Sequence, residues 1–294
     1  MKPAWLWMGS CVLAATVAVA APLRVIYPRQ AENDRRDTYK IVLLERVLQA
    51  TTNDFGGFVL EPSALAMTET RMEALMTKGD GRTLNVIFKP STRDREESMI
   101  PVRIPILKGL LGYRVCLIHA DTQPACSRVQ TLEDLKALTV GQGLGWRDTE
   151  VFEHNGIHVE TSPDYEGLFA MLNGKRFDLF SRGITEIPAE FAERKAQFPH
   201  MRIESDLLFY YPWPVYFFTI RNDEGRRLAA RIGRGLEQLR ASGEFDALFN
   251  QYHKGTMEEL HLKERRLIRL ENPSLPAETP LDRKELWLTL DELE

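Results

Sequence analysis

The sequence predicts an α/β protein built as two lobes of related design. Helical and strand-like patterns alternate with short links, which implies parallel sheets covered by helices. One unit, a helix stopped by glycine and followed by a strand, occurs twice. It runs through Thr70–Lys78, Gly79 and Thr83–Phe88, and again through Asp164–Asn173, Gly174 and Arg176–Phe180. A unit seen once in each region favours two lobes over one continuous sheet. The chain has 294 residues, enough for two medium domains.

The elements follow in order. Residues 1–20 read as a secretory leader: Lys2, an apolar run, then the small-residue site Ala18-Val19-Ala20. Cleavage is expected after Ala20. A retained anchor and a lipoprotein at Cys11 are the alternatives, although Met8-Gly9-Ser10 is a poor lipobox. Export leaves Cys116 and Cys126, and an even count in an oxidising compartment predicts a disulfide between them, with two buried thiols as the alternative. Leu23–Tyr27 reads as a strand, residues 38–50 as a helix and Phe55–Glu61 as a second strand. Thr131 and Asp134 make a capping-box-like helix start. The strand Leu138–Val140 then runs into Gly141-Gln142-Gly143-Leu144-Gly145, ahead of a helix over Glu150–Asn155. Pro212 and Pro214 interrupt the apolar stretch Leu207–Ile220, so only Val215–Ile220 is expected as a central strand. A helix from Arg227 ends at Gly243, and a second continues through Tyr252. The proline-rich tail after Leu270 is expected to wrap a surface with little regular structure.

Composition excludes some classes. The formal net charge is −4, and no basic run is interleaved with aromatics, which argues against a nucleic-acid partner. There is no H-E-x-x-H, G-x-S-x-G, G-K-[ST] or C-x-x-C motif. His154 and His158 lack a carboxylate placed to complete a metal site, and Gly141-x-Gly143-x-Gly145 is not the dinucleotide fingerprint, though Glu160 lies near the distance that fingerprint asks for. No metal, no cofactor and no catalytic residue are expected.

Four segments carry a resemblance. Thr92-Arg93-Asp94-Arg95 after a strand looks like T-P-E-R. Thr131-Leu132-Glu133-Asp134-Leu135-Lys136 with Val140-Gly141 is similar to S-L-E-D-L-K-G-K-K-V-G-V. Asn173–Asp178 resembles G-R-x-D, and Leu228–Tyr252 looks like a closing helical pair. In this order they resemble the type II periplasmic solute-binding proteins of family 3, the polar amino-acid binders, as a divergent member. The resemblance covers residues 23 to about 254. It implies a two-lobed fold with two crossover strands, near Leu110–Ile118 and Asp206–Phe217. Lobe I would comprise residues 21–111 and 206–294, and lobe II residues 112–205.

The resemblance also implies a site. Thr92 and Arg95 occupy the positions that hold a ligand α-carboxylate in the family. A capped helix start and an arginine fork suit that anion. Where the family places an aspartate for the ligand ammonium, this chain has Arg182, which favours an anionic group. The alternative is that Arg182 pairs with an acid such as Asp178 or Glu186. Trp146, Tyr27 and Tyr211 are candidate cleft walls, and the turn through Arg147 and Thr149 would add N–H donors. The implied protein is a monomeric, non-enzymatic binder of a small polar, carboxylate-bearing ligand, partnered by an inner-membrane ABC-transporter permease or a sensor. A partner-binding accessory protein and a same-fold enzyme such as a dehydratase are the other readings.

Overall fold

A computed structural model describes residues 21–30 and 36–292; the expected leader, residues 1–20, lies outside them. The strands are β1 Leu23–Tyr27, β2 Phe58–Pro62, β3 Val86–Pro90, β4 Ile100–Val102, β5 Tyr113–His119, β6 Val140–Gly143, β7 Val159–Ser162, β8 Leu179–Gly183, β9 Met201–Ile203, β10 Leu207–Tyr210, β11 Val215–Thr219 and β12 Arg266–Arg269. In the first lobe, β1 and β2 pair in parallel, and β11 lies antiparallel between β3 and β4. Asn85 joins these pieces: its amide side chain accepts from Ile26 N–H and donates to Arg24 O, both at 2.8 Å. The second lobe is a seven-stranded sheet ordered β12-β10-β5-β8-β6-β7, with β9 also on β5. The two copies of the repeated unit therefore end on different sheets, β3 on one and β8 on the other.

The periodicities seen in the sequence explain the packing. Helix Thr38–Ala50 buries Tyr39, Leu43, Leu44, Val47 and Leu48 at helical spacing. That face lies against helix Asp223–Ser242, which ends at Gly243 in the left-handed region (φ 79°) as a C-terminal glycine should. Helix Glu244–Glu259 follows directly. Gly79 and Gly174 stop their helices as expected, but without positive φ: their φ values are −79° and −82°. Gly79 is needed for space instead, since a Cβ there would sit 2.2 Å from Leu75 O, and it is Lys175 that takes positive φ (54°). The strand expected at Arg176–Phe180 begins only at Leu179, because Arg176 and Asp178 spend their N–H groups on Met171 O and Thr139 O.

The chain passes between the lobes three times, once ahead of β12 through residues 260–265 and, at two crossovers, through residues 103–112 and 211–214. The two crossovers touch: Tyr211 N–H donates to Gly112 O at 3.2 Å, and a Cβ on Gly112 would stand 2.0 Å from Tyr211 O. The expected lobe boundaries need correction on the carboxyl side. β10 belongs to the second sheet, and β12 returns from the first lobe to pair in parallel with it. The signal missed was Arg266-Leu267-Ile268-Arg269, a run too short for periodicity to speak.

Residues beyond β12 form a strap with only short turns of 3-10 helix. Asn272 donates to Pro212 O in the return crossover (2.9 Å), and Asn155 of the second lobe donates to Glu271 O (2.8 Å). Arg93 of the first lobe reaches Pro273 O (3.1 Å). Further on, Leu288 N–H donates to Lys108 O (2.8 Å), and Trp287 lies against Gly109. The strap thus holds both lobes and both crossovers.

The expected Cys116–Cys126 disulfide is absent: both are free, buried thiols. Cys116 lies on β5 and Cys126 in helix Gln123–Arg128, within one apolar cluster with Ile118, Val129 and Leu135. They pack as small hydrophobes. Burial, with Glu204 nearby, pushes the Cys126 thiol up to about 12 and raises Cys116 as well. No helix among the described residues is long and apolar enough to cross a membrane.

Candidate functional site

In open α/β sheets the strand carboxyl ends face the ligand crevice. Here β3 delivers Thr92 and Arg95, and β6 and β8 deliver the turn after Gly143 and the pair Arg182-Gly183. The lobes approach each other at this level, with Asp94 and Arg147 3.9 Å apart.

On the first lobe Thr92 caps the short helix Arg93–Ser98, its hydroxyl accepting from Arg95 N–H at 3.4 Å. Thr92 and Arg95 are both buried. The Arg95 guanidinium is already engaged. Nε and Nη2 donate to one oxygen of Glu73 (2.9 and 2.7 Å), Nη2 also donates to Glu69 (2.7 Å), and Nη1 donates to Pro90 O (2.9 Å). These two acids are one turn apart on helix Glu69–Lys78, so they share a face. Their side chains are 56% and 39% exposed, and Lys89 stands 3.5 Å from Glu69.

On the second lobe Arg182 is held more firmly. Its fork meets Glu190 with Nε at 2.7 Å and Nη2 at 2.6 Å, and Glu186 lies 3.2 Å from Nη2. Tyr165 donates to the same Glu190 at 2.7 Å. The guanidinium packs over the rings of Trp146 (4.7 Å), Phe180 (5.2 Å) and Tyr165 (5.8 Å). Burial alone would lower the Arg182 pKa, but the Glu190 hydrogen bonds and Glu186 outweigh it and raise it. Glu190 is 13% exposed and bonded to two partners, so this pair is a structural unit. Of the acids weighed for Arg182, Glu186 is a partner; Asp178 is not, because it accepts from Thr139 N–H instead.

A second buried cluster lies on the opposite face of the same sheet. Arg114 of β5 and the hydroxyl of Tyr211 both donate to one oxygen of Asp148, and Arg114 Nε donates to Tyr211 OH at 3.0 Å. Burial would depress the Arg114 pKa, and Asp148 overrides it and raises it. Tyr211, expected as a cleft wall, is fully buried here and ties helix Asp148–His154 to the return crossover. A Cβ on Gly183 would meet Arg114 Nη1 at 2.9 Å and Glu186 Oε2 at 3.0 Å, so the ends of those side chains would have to shift.

The glycine turn works by packing. A Cβ on Gly141 would stand 2.3 Å from the Phe177 ring and one on Gly143 2.3 Å from Trp146, while Gly145 takes φ 79°. Trp146 is half-buried, Arg147 is exposed, and the Thr149 hydroxyl is buried without a hydrogen-bond partner. Gln142 and Ser181, one ladder step beyond the Gly141–Phe180 pair, also keep unpartnered side-chain atoms. Tyr27 ends β1, half-buried. The structure thus brings Trp146 to Arg182 and Thr92 to Arg95, while the partners of each arginine stay within its own lobe. The residues missed were Glu69, Glu73, Glu190, Arg114 and Asp148. Glu73 stood on the expected helix and Glu69 one residue ahead of it, at the i,i+4 spacing that places them together. Glu186 and Glu190 needed helix Ile187–Arg194, whose start is marked by Pro188. No group of His, Cys, Asp and Glu among the described residues could hold a metal ion.

No protein-family model and no curated protein sequence matches the chain. Solved structures do. An ancestral arginine-binding protein bound to arginine superposes with a TM-score of 0.51 at 16% identity, covering 80% of this chain and 99% of that one. An ancestral amino-acid-binding protein, a precursor of cyclohexadienyl dehydratase, gives 0.50 at 16%, covering 79% and 95%. A Salmonella typhimurium periplasmic binding protein of high arginine specificity gives 0.50 at 13%, covering 79% and 99%. The chain has the two-lobed α/β fold of these binding proteins, at a sequence distance that leaves its ligand to its own residues.

Proposed function

We propose that the chain is a periplasmic solute-binding protein that closes on a small, carboxylate-bearing ligand, serving an inner-membrane permease or a sensor. The single observation behind this reading is the state of Arg95. It is a buried guanidinium at the carboxyl end of β3, and its two acidic partners are exposed side chains on a neighbouring helix. Carboxylates that reach solvent are rehydrated when they release a guanidinium. A ligand carboxylate can therefore take the fork from Glu69 and Glu73, exchanging one charge-assisted pair for another. Arg182, locked to Glu190 behind Trp146, serves in this reading as the scaffold for the opposite wall. That differs from the expectation that Arg182 itself favours an anionic group of the ligand.

A melting-shift screen of amino acids, dicarboxylates and phospho-compounds on the mature chain should find a carboxylate that stabilises it. Calorimetry then separates the roles. Arg95→Ala should weaken binding by about tenfold or more. Glu73→Gln should tighten it, because a competing carboxylate is removed. If no compound shifts the melting, or Arg95→Ala binds as well as the parent, the proposal falls. The partner-binding accessory reading would then lead, supported by the strap that holds both lobes.

A further inference from the structure

The strap creates a second hollow away from the arginine site. Register alone assembles its floor. Tyr210 of β10 is opposite Tyr113 on β5 and opposite Arg269 on β12, so the three stand in one row across adjacent strands. The Tyr113 and Tyr210 rings are 4.5 Å apart, and the Arg269 guanidinium lies 5.3 Å over Tyr210. The strap supplies the other wall with Leu281, Lys284 and Trp287, leaving an open hollow of about 440 Å³. That is within the range of small-molecule sites.

The walls are fixed. Trp287 is buried, its Nε1–H donates to Pro280 O at 2.9 Å, and its ring seats on Gly109. Tyr113 OH donates to Leu288 O at 3.2 Å. The charges around the hollow are unbalanced. Of the strap acids, Glu285 pairs with Arg283 (2.9 Å), and Glu292, which accepts from Thr289 N–H at the rim (2.8 Å), pairs with Lys108 (2.9 Å). Among the described residues, neither Arg269 nor Lys284 has an acidic partner, whereas Arg95, Arg114 and Arg182 are all paired. Two uncompensated cations thus flank an aromatic and aliphatic hollow, where Leu281 is 48% exposed. Cations favour an anionic head, and the rings favour an apolar body.

We propose that this hollow is a binding site for a small amphipathic carboxylate, whose anionic group lies between Arg269 and Lys284 and whose apolar part packs on Tyr113, Tyr210, Leu281 and Trp287. Its floor rises from β5 and β10, the strands next to the two crossovers, and its other wall is the strap. An occupant therefore bridges the strap to the hinge and holds the strap in place.

The test uses the mature chain with octanoate and 4-phenylbutyrate as probes, and octanol and octylamine as neutral and cationic controls. Binding is followed by calorimetry and by indole fluorescence, with Trp287→Phe to identify the signal. The carboxylates should bind, with octanol and octylamine weaker by about tenfold or more. Arg269→Gln and Lys284→Gln should each weaken octanoate about tenfold at unchanged melting temperature, while Arg95→Ala leaves it unaltered. The proposal is overturned if neither carboxylate binds, if octanol binds equally well, or if Arg95→Ala removes binding and the other two variants do not.

Discussion

Replacing Asp148 by alanine should destabilise the protein by an amount set by what it leaves behind. In the folded chain one Asp148 oxygen accepts from both the Arg114 guanidinium and the Tyr211 hydroxyl, with Arg114 and Asp148 side chains 5% and 7% exposed. Asp148→Ala strands a guanidinium out of reach of water, with Glu186 as the remaining acid near it. Removing one member of a buried ion pair costs about 3–5 kcal/mol. For a chain of this size each kcal/mol lowers the melting temperature by about 2–4 °C, so a fall of roughly 6–20 °C is expected. Urea titration and calorimetry of the mature protein read both quantities. A control separates the stranded charge from lost packing. Arg114→Met, Asp148→Leu and Tyr211→Phe together remove all three polar groups and should recover most of the loss, because an apolar replacement of a buried pair is often neutral or better. A cost below about 1 kcal/mol for Asp148→Ala, or a triple variant as unstable as the single one, would refute the reasoning.

Other outcomes follow from the same structure. Intact mass after alkylation of the unreduced, denatured chain of residues 21–294 should show two modified cysteines; an unmodified pair would restore the disulfide. Gly141→Ala should cost about 1–3 kcal/mol, since the new methyl meets the Phe177 ring at 2.3 Å, and urea titration beside Gly57→Ala, whose methyl has only Pro22 at 3.8 Å, isolates the clash. His253 packs between the Tyr39 and Phe249 rings, where burial and Lys40 lower its pKa to about 4. The unfolded chain then takes up the proton near pH 6.5 and the folded chain only near 4, so stability falls as pH drops through that window, by up to ~3 kcal/mol. His253→Phe should flatten that slope in urea titrations across the window, and an unchanged slope would assign it to other groups.

Much of the fold was legible because burial imposes a period. Helix 38–50 shows its apolar face at the spacing the sequence displays, and the capping box at Thr131 and Asp134 forms as its residues foretell. The elements that failed were short or spent their hydrogen bonds elsewhere. Residues 266–269 are too short a run to announce a strand, and only the open edge of β10 makes them one. Arg176 to Asp178 look strand-like, but the turn after helix Tyr165–Asn173 and the need to cover Gly141 with Phe177 claim them first. The cysteines were misjudged for a related reason. Parity is a property of the count, whereas bonding depends on local geometry that the count does not contain.

The places of the candidate residues in the fold were legible in the sequence, and their pairings were not. Thr92, Arg95, Trp146 and Arg182 all stand where strands end, because strand and helix boundaries place them there. What decides their chemistry is which carboxylate reaches each guanidinium, and that depends on helix phase. Glu69 and Glu73 reach Arg95 from a helix that precedes β3, and Glu190 reaches Arg182 from a helix that follows β8. The two arginines then differ in one respect that no motif encodes. The acids on Arg95 are open to solvent, and the acid on Arg182 is buried and doubly bonded. Acids that reach solvent are rehydrated when they release a guanidinium, while displacing a buried acid leaves an unpaired charge. A carboxylate ligand can therefore compete at Arg95 at little cost, but at Arg182 it would have to dismantle the wall formed by Glu190, Tyr165 and Trp146. The same comparison carries over to Arg269 and Lys284, which have no acid to displace. Among the cations compared, ease of anion capture should fall from Arg269 and Lys284 to Arg95 and then to Arg182. That order is set by burial and pairing, and not by where the motifs stand.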